Sequence, residues 1–320
     1  MASTSTSSVN DYLIAGFGVR IIIKDTSINN MSLLPSFEPF KTGCPPTASM
    51  QDTYDKAAGE EADGRLLQLT VDDTLPVVRL KDVERIGSFP TGNGTTVVDH
   101  LQNGGYQYII KDIAERECCL LQTDKNFSQC RCALKGNREM RTFGLNSALI
   151  LSFAYAACTR QTLLVHASVI RCQERAFPFI AKSGTGKSTH TSLWMKHIPG
   201  CDLLNDDMPI LRIIDGQPFI YGGPWSGKTP CYRPRRAPLG AITRIDRATS
   251  NSIERLGAVE AFASLLSSCT QMKWDKRIYD AVIDNITKVV ETTPSYILHC
   301  LPDKEAAMLS HKTLTESRMQ

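Results

Sequence analysis

The alternation of apolar and polar residues changes character near residue 140, and the part before it is typical of β-structure. Short runs rich in β-branched residues are separated by turns that contain Gly and Asn, at 91–94 and 103–105, as expected for strands joined by tight loops. The polar stretch Gln51–Gly64 is predicted to be a loop. The predicted strands are Leu13–Ile23, Gln68–Val71, Pro76–Val83, Thr95–Val98 and Tyr106–Ile110.

After residue 140, helical and strand patterns alternate. Apolar residues recur near helical spacing between 144 and 159, which predicts a helix with one buried face. Asp215–Gly216 joins two short apolar runs and is a hairpin signature, so the sheet is predicted to be mixed. The further predicted strands are Thr162–Ile170, Phe177–Ala181, Leu203–Asp207, Pro209–Ile214, Gln217–Tyr221 and Tyr296–Leu301, and the further helices are Thr189–Lys196, Val259–Ser267, Asp275–Glu291 and one that opens at Pro302–Asp303.

Length and composition add a division into domains and exclude some classes of protein. A chain of 320 residues exceeds the usual size of one domain, so two are predicted, 1–140 and 141–320. The net charge of +3 gives no sign of a nucleic-acid partner. No run approaches the roughly 20 apolar residues that span a bilayer, and the Ser/Thr-rich start does not resemble a secretory signal. We therefore expect a cytoplasmic protein with neither a nucleic-acid nor a membrane partner.

Two other patterns have a structural and a functional interpretation. Eleven cysteines, an odd number without an export signal, favour reduced thiols. Cys118–Cys119 and Cys130–Cys132 lack the paired spacing of zinc sites, so small buried residues are favoured over a metal cluster. Gly16-Phe17-Gly18 is not followed by a third glycine, which favours a strand irregularity over a dinucleotide loop.

The most specific motif is the run A-K-S-G-T-G-K-S at 181–188, between a predicted strand and a predicted helix. Its two glycines allow backbone conformations that turn successive N–H groups into one concavity, to which the following helix adds its positive end. Lys187 can reach the β- and γ-phosphates, and the Ser188 hydroxyl can ligate Mg²⁺. Ala181 stands where the phosphate-loop pattern has its first glycine. The residues predicted to bind ATP are Ser183, Gly184, Thr185, Gly186, Lys187, Ser188 and Thr189.

Paired acids follow the phosphate-loop motif. Asp206 and Asp207 end a short apolar strand, 18 residues after Ser188 in the case of Asp206. One carboxylate can hold Mg²⁺, or Mn²⁺ as the alternative, while its neighbour accepts a proton from an incoming hydroxyl. The predicted metal ligands are Ser188, Asp206 and Asp207, and which acid is the base stays open.

Six basic residues and one acid lie between Lys228 and Arg247. Several of them are on a Gly/Pro-rich loop, where cations can fold over a ligand and stabilise charge on a transferring phosphoryl group. Lys228 is the first candidate for this role and Arg233 the second. A solvated basic loop and a nucleic-acid patch are the alternatives, but only Trp225 and Tyr232 are near enough to stack on bases.

These motifs resemble the HPr kinase/phosphorylase and phosphoenolpyruvate carboxykinase superfamily. The resemblance rests on A-K-S-G-T-G-K-S-T-H followed by L-L-N-D-D, and it covers about residues 141–313. The strand Leu163–Val169 is similar to the V-H-G-x-x-V strand of HPr kinase, which implies that His166 lies beside the phosphoryl-transfer site. The segments Tyr221–Thr229 and Tyr296–Asp303 resemble an HPr-kinase-like group found beside peptide-modifying enzymes and in gut bacteria.

The resemblance implies an α/β fold: a C-terminal mixed-sheet P-loop domain of the carboxykinase and HPr-kinase type, with a smaller β-rich α+β N-terminal domain. We expect the N-terminal domain to recognise the acceptor or another protein. It implies an ATP-dependent kinase that phosphorylates a hydroxyl on a small molecule, or on a serine of a protein or peptide. A homo-oligomer is compatible with this. The motifs, the basic loop and the resemblance together give the predicted catalytic residues: Asp207, Asp206, His166, Lys187, Lys228 and Arg233.

Two other activities stay open. One is an ATP-linked carboxykinase, although about 180 residues are few for that enzyme and its array of basic and histidine ligands is not visible in the sequence. The other is a nucleotide-binding regulator that transfers nothing.

Overall fold

A computed structural model describes residues 7–42, 64–227 and 229–316. The chain divides between Ala157 and Cys158 into two compact units. The functional division predicted at 1–140 and 141–320 stays a prediction. Most of the predicted loop at 51–64 lies outside the described residues. No helix in the described ranges is long and apolar enough to cross a bilayer.

The described part of the first unit is built on one mixed sheet of nine strands in the order β3-β1-β2-β4-β9-β8-β7-β6-β5, in which only β4 is parallel to its two neighbours. Helix α1 (Arg138–Cys158) follows the last strand, and its Phe153 and Tyr155 contact the rings of Phe17 and Phe127. The strands are β1 (Ser8–Ile14), β2 (Phe17–Ile23), β3 (Lys41–Thr42), β4 (Arg65–Val71), β5 (Val83–Thr91), β6 (Gly94–Leu101), β7 (Tyr106–Asp112), β8 (Glu117–Thr123) and β9 (Gln129–Leu134).

Two strand predictions in this unit are wrong. The run Leu13–Ile23 is a hairpin, because Ala15 (φ 50°) and Gly16 (φ 81°) form a tight turn between β1 and β2. Gly16 therefore belongs to a turn, and the predicted strand irregularity lies at Gly18, where the pairing with β4 shifts register before Val19. The run Pro76–Val83 is irregular and ends in a short 3₁₀ turn, since Pro76 lacks the N–H that a ladder needs.

The described part of the second unit contains two sheets. One has four antiparallel strands in the order β10-β14-β15-β16, and the other is a mixed sheet in the order β13-β11-β12-β17-β19-β18, in which β17 is parallel to both neighbours. The predicted mixed α/β architecture is thus observed. The strands are β10 (Thr162–Leu164), β11 (Ala167–Cys172), β12 (Arg175–Ile180), β13 (Cys201–Asp207), β14 (Ile210–Ile214), β15 (Gln217–Tyr221), β16 (Arg236–Pro238), β17 (Ile242–Arg247), β18 (Ser252–Arg255) and β19 (Ser295–Cys300).

The helices described in this unit are α2 (Lys187–His197), α3 (Ala258–Leu266), α4 (Lys276–Thr292) and α5 (Lys304–Glu316). Helix α2 packs on the six-stranded sheet and on α5, with Trp194 fully buried 5.6 Å from the ring of Phe177 and 5.5 Å from that of Phe179. The indole N–H donates to the Ser310 hydroxyl at 2.9 Å. Burial of a tryptophan with its N–H satisfied is a strong anchor, so α2 is held firmly where it follows β12.

The sequence prediction of a single strand at Thr162–Ile170 is wrong. Residues on either side of Val165 and His166 belong to different sheets, β10 to the four-stranded one and β11 to the six-stranded one. The Val165 N–H donates to the carbonyl of Pro209, and the His166 N–H to that of Ser268. The backbone therefore leaves one ladder before it enters the next, which apolar pattern cannot reveal. The hairpin prediction is confirmed, because Asp215 (φ 49°) and Gly216 (φ 77°) form the turn between β14 and β15.

Among the described cysteines, one pair departs from the sequence prediction. The four on β8 and β9 are buried, as small apolar residues are. Cys172 and Cys201 instead form a disulfide, so the expectation of reduced thiols is wrong for this pair. The two are directly opposite each other on β11 and β13, with Cα atoms 4.4 Å apart. Their 29-residue separation carries no signal in the sequence, because the register of the sheet brings them together.

The disulfide predicts a measurable contribution to stability. Closing a loop of this length should add roughly 3 to 4 kcal/mol to the free energy of unfolding. A Cys172→Ser/Cys201→Ser variant should therefore unfold at lower denaturant concentration than the oxidised protein, and the reduced wild-type protein should match the variant. Peptide mapping of denatured, unreduced protein should recover the two cysteines in one cross-linked peptide. Separate alkylation of both thiols would contradict the assignment.

Candidate functional site

The candidate site lies at the edge of the six-stranded sheet where β12 and β13 end. Both strands are antiparallel to β11, and Ala167 at the start of β11 is opposite Ile180 on one side and Asp207 on the other. The carboxyl ends of β12 and β13 and the amino end of β11 therefore meet at one edge. His166 precedes Ala167 directly. The register thus brings His166, the paired acids and the loop after Ile180 to one place.

The acid and the histidine are in contact where the chain passes between the two sheets. His166 lies between β10 and β11. Asp207 is the last residue of β13, and β14 begins three residues later. The Nδ1 atom of His166 is 3.1 Å from Oδ1 of Asp207, and both side chains are about two-fifths exposed, at 37% and 39%. Asp207 has φ of 153°, which L-residues rarely adopt. Such strain persists only where the surroundings impose it, and it is common at functional sites.

The glycine loop, residues 181–186, connects β12 to α2. Gly184 has φ of 77° and Gly186 φ of 126°, and a Cβ at either position would have no atom within 4 Å. These positions therefore require glycine for its backbone freedom and not for lack of space. The His190 N–H donates to the carbonyl of Gly186 at 2.9 Å, so the helical hydrogen bonds begin immediately after the loop.

Lys187 is buried at the centre of the site, with 9% of its surface exposed. Its Nζ lies 2.8 Å from Nε2 of His166 and donates to the carbonyl of Ala181 at 3.1 Å. Burial lowers the pKa of Lys187, while the charges of Asp207 and Asp206 act in the opposite direction. An ammonium can only donate, so Nε2 of His166 accepts and the proton of the neutral ring is on Nδ1, facing Asp207.

Ser188 and Asp206 form the second polar contact. The Ser188 hydroxyl donates to Oδ1 of Asp206 at 2.8 Å. Asp206 is 3% exposed, and its Oδ2 is buried with no hydrogen-bond partner among the described residues. A buried carboxylate oxygen without a partner is costly. Oδ2 of Asp206 is therefore suited to bind a cation that the Ser188 hydroxyl also contacts.

A cover segment, Gly222–Gly227, packs against the end of β13. The fully buried Asn205 donates from Nδ2 to the carbonyl of Trp225 at 3.0 Å and accepts from the Met208 N–H at 3.1 Å. The Gly227 N–H donates to the carbonyl of Asp206. A Cβ on Gly227 would lie 2.9 Å from that carbonyl oxygen, so only glycine allows this approach. The cover segment holds the backbone of the acidic pair in place.

The other predicted site residues have different positions. Nη1 of Arg233 donates to Oδ2 of Asp202 at 2.8 Å, and Asp202 also pairs with Arg171 at 3.0 Å. Asp202 precedes Asp206 by four residues on β13, about 13 Å along an extended strand. The guanidinium of Arg233 is therefore not brought to the acidic pair.

Lys228 lies outside the described residues. Ser183 and Thr189 are exposed, and Thr185 is half-buried, with its N–H donating to the carbonyl of Lys182 at 3.2 Å.

Arg247 is a site residue that sequence reasoning did not single out. Strand β17 runs parallel to β12, with Arg244 opposite Ile180, so Arg247 extends beyond the end of β12. Its Nε donates to the carbonyl of Thr185 at 3.0 Å and its Nη2 to that of Gly184. No strand was predicted at 242–247, and the basic residues there formed an undifferentiated group. A strand prediction at 242–247 would not have sufficed, because the parallel pairing of β17 with β12 is what brings Arg247 to the glycine loop.

The comparison with known proteins shows distant structural similarity. No family model matches the chain, and no curated protein matches it. Among solved structures, the Hpr(Ser) kinase/phosphatase from Coxiella burnetii is similar to 48% of this chain and 97% of its own, with 9% sequence identity and a TM-score of 0.30. This is a distant structural relationship, too weak for an activity to be transferred from it.

The packing of the cover segment predicts different tolerance at two of its glycines. Gly227→Ala would force a Cβ against the Asp206 carbonyl, whereas a Cβ on Gly223 would meet its first neighbour, Ile210, at an ordinary 3.4 Å. We expect Gly227→Ala to lower the free energy of unfolding by about 1–3 kcal/mol and Gly223→Ala to leave it nearly unchanged. Denaturant unfolding measures both, and equal stability of the two variants would show that the cover segment is not packed as described.

Proposed function

We propose that the protein is an ATP-dependent phosphotransferase that transfers the γ-phosphoryl group of ATP to a hydroxyl. The observation that carries the proposal is the meeting of four groups at one sheet edge: the glycine loop, the Lys187 ammonium, the Ser188–Asp206 pair, and Asp207 with His166. A phosphate cradle, a cation, a metal-binding oxygen pair and an accessible base are the parts that phosphoryl transfer requires. The acceptor hydroxyl belongs to a small molecule or to a serine of a protein or peptide.

ATP binding is assigned to the glycine loop and the start of α2. The two positive-φ glycines let backbone N–H groups converge, and α2 contributes its unpaired N–H groups at the same point. Lys187 adds a full positive charge, and its burial raises the strength of that charge toward a phosphate. Its present partners, a histidine nitrogen and a carbonyl oxygen, are neutral acceptors that an anionic phosphate can replace.

The donor set fits Mg²⁺. The described residues contain no group of three or more His, Cys, Asp or Glu side chains placed to hold a metal. Mg²⁺ nevertheless needs only one or two protein oxygens, because phosphates and water complete its octahedron. The Ser188 hydroxyl and the unpartnered oxygen of Asp206 would hold it, with Mn²⁺ as the alternative ion. When bound, the metal would neutralise charge on the β- and γ-phosphates.

Burial distinguishes the two acids. Asp206 is almost entirely enclosed, whereas Asp207 is 39% exposed and can meet an incoming hydroxyl. We therefore assign the metal to Asp206 and the proton to Asp207, whose carboxylate is oriented by Nδ1–H of His166. The acceptor oxygen loses its proton to Asp207 and bonds to the γ-phosphorus as the bond to ADP breaks.

Removal of Lys187 tests ATP binding, and removal of Asp207 tests transfer. Lys187→Ala should weaken Mg-ATP binding at least about tenfold, or about 1.4 kcal/mol, because the cation is lost. The matched control is Lys196→Ala, which removes an exposed lysine from the same helix. Asp207→Asn should keep binding and lose transfer. Calorimetry measures the first, and γ-labelled ATP incubated with host lysate the second.

The outcomes separate the proposed function from its alternatives. Wild-type protein that does not bind Mg-ATP would overturn the whole assignment. Tight binding without transfer to any lysate component would favour a nucleotide-binding regulator. Mn²⁺-dependent turnover of oxaloacetate with ATP would favour a carboxykinase.

Substitution of the two acids on β13 is expected to have opposite effects on stability and on ATP binding. Asp206→Asn removes a buried charge that has an unpartnered oxygen, so the melting temperature should be maintained or raised, while Mg²⁺-dependent ATP binding falls at least about tenfold. Asp202→Asn breaks the ion pairs with Arg171 and Arg233, so it should cost about 0.5–1 kcal/mol of stability and leave ATP binding unchanged. Thermal unfolding and calorimetry report the two quantities. Wild-type affinity in Asp206→Asn would exclude it as the metal ligand.

A further inference from the structure

Arg247 makes two contacts with the backbone of the glycine loop, and both are to carbonyl oxygens. The residue ends β17, the neighbour of β12, and its exposed guanidinium reaches the carbonyls of Gly184 and Thr185 through different nitrogens. A guanidinium presents its donors in a rigid planar fork, so two simultaneous contacts define the orientation of both acceptors. A lysine ammonium is a point charge on a flexible stem and does not define two directions at once.

Orientation of these carbonyls also orients the loop's N–H groups. No described peptide bond is cis, and in a planar trans peptide the C=O and the following N–H point in opposite directions. Arg247 therefore turns the N–H groups of Thr185 and Gly186 away from itself. The Thr185 N–H closes a turn onto the carbonyl of Lys182 at 3.2 Å. The Gly186 N–H belongs to the Thr185–Gly186 peptide, and Gly186 is the residue directly before α2 begins at Lys187.

The two glycines themselves add no side-chain contact that would hold the loop's shape. Gly184 and Gly186 have no side chains, and the space around them is open. Glycine loses more conformational entropy than any other residue when it is ordered, and ordering at the moment of binding reduces affinity. A contact that orders the loop before a phosphate arrives removes this cost in advance.

We propose that Arg247 is a positioning residue that pre-organises the glycine loop for polyphosphate binding, and this rests on the proposed function. Arg247 acts on the backbone and not on the nucleoside. Its loss is therefore felt equally by every ligand that the loop cradles through phosphate.

The test compares three arginine variants and two ligands. Arg247→Ala and Arg247→Lys should each weaken binding of Mg-ATP and of Mg-tripolyphosphate by the same factor, about tenfold, or about 1.4 kcal/mol. The matched control is Arg255→Ala: Arg255 is an exposed arginine on β18 of the same sheet, opposite Tyr296 rather than Cys300, which is about 13 Å farther along β19. It should keep wild-type affinity. Competition against a fluorescent ATP analogue measures all the constants.

Each other result overturns the proposal in a recognisable way. Wild-type affinity in Arg247→Ala, with Lys187→Ala impaired, refutes the role of Arg247 and leaves the proposed function standing. Full rescue by Arg247→Lys shows that charge alone matters. Weaker ATP binding with unchanged tripolyphosphate binding shows that Arg247 contacts the nucleoside. Wild-type protein that binds neither ligand refutes both the role and the proposed function.

Discussion

The register of β11 is the constraint on which the candidate site depends. Its first residue, Ala167, is opposite Ile180 of β12 and Asp207 of β13. A shift by one residue would reverse the direction of each side chain on that strand, and it would separate His166 from Asp207 and the end of β12 from the acidic pair. The disulfide between Cys172 and Cys201 joins β11 to β13 at the opposite end of the same pairing. Side-chain interactions therefore define both ends of the β11–β13 pairing in addition to the backbone hydrogen bonds. They are the disulfide at one end and the contact between His166 and Asp207 at the other.

The buried charges at the sheet edge are only partly compensated by their neighbours. Lys187 and Asp206 are both largely removed from water, and each alone would carry a large desolvation cost. They are partly compensated by polar neighbours: a histidine nitrogen and a carbonyl for the lysine, a serine hydroxyl for the aspartate. One carboxylate oxygen stays unpartnered among the described residues. An oxygen without a partner lowers the stability of the protein without ligand, and a ligand that binds there can restore that stability.

The candidate site shows which kinds of residue can be predicted from sequence. Lys187 and Ser188 follow from a contiguous motif, because the local chain alone determines where a glycine loop ends and a helix begins. Arg233 is in the predicted basic loop, yet it pairs with Asp202. Arg247 was only one of several basic residues, yet it reaches the glycine loop. A cation's destination depends on which strand ends beside which, and spacing along the chain does not contain that information.

The sequence by itself determined the local elements: the helix before β10, the strand, glycine loop and helix within 177–196, the Asp215–Gly216 hairpin and helix α4. Each depends on interactions within a few residues, so periodicity and turn chemistry suffice. Only the tertiary structure decided that Thr162–Ile170 is divided between two sheets, that Cys172 meets Cys201, and that His166 contacts both Lys187 and Asp207. Those outcomes depend on strand order and register, which are set by contacts between residues far apart in the chain.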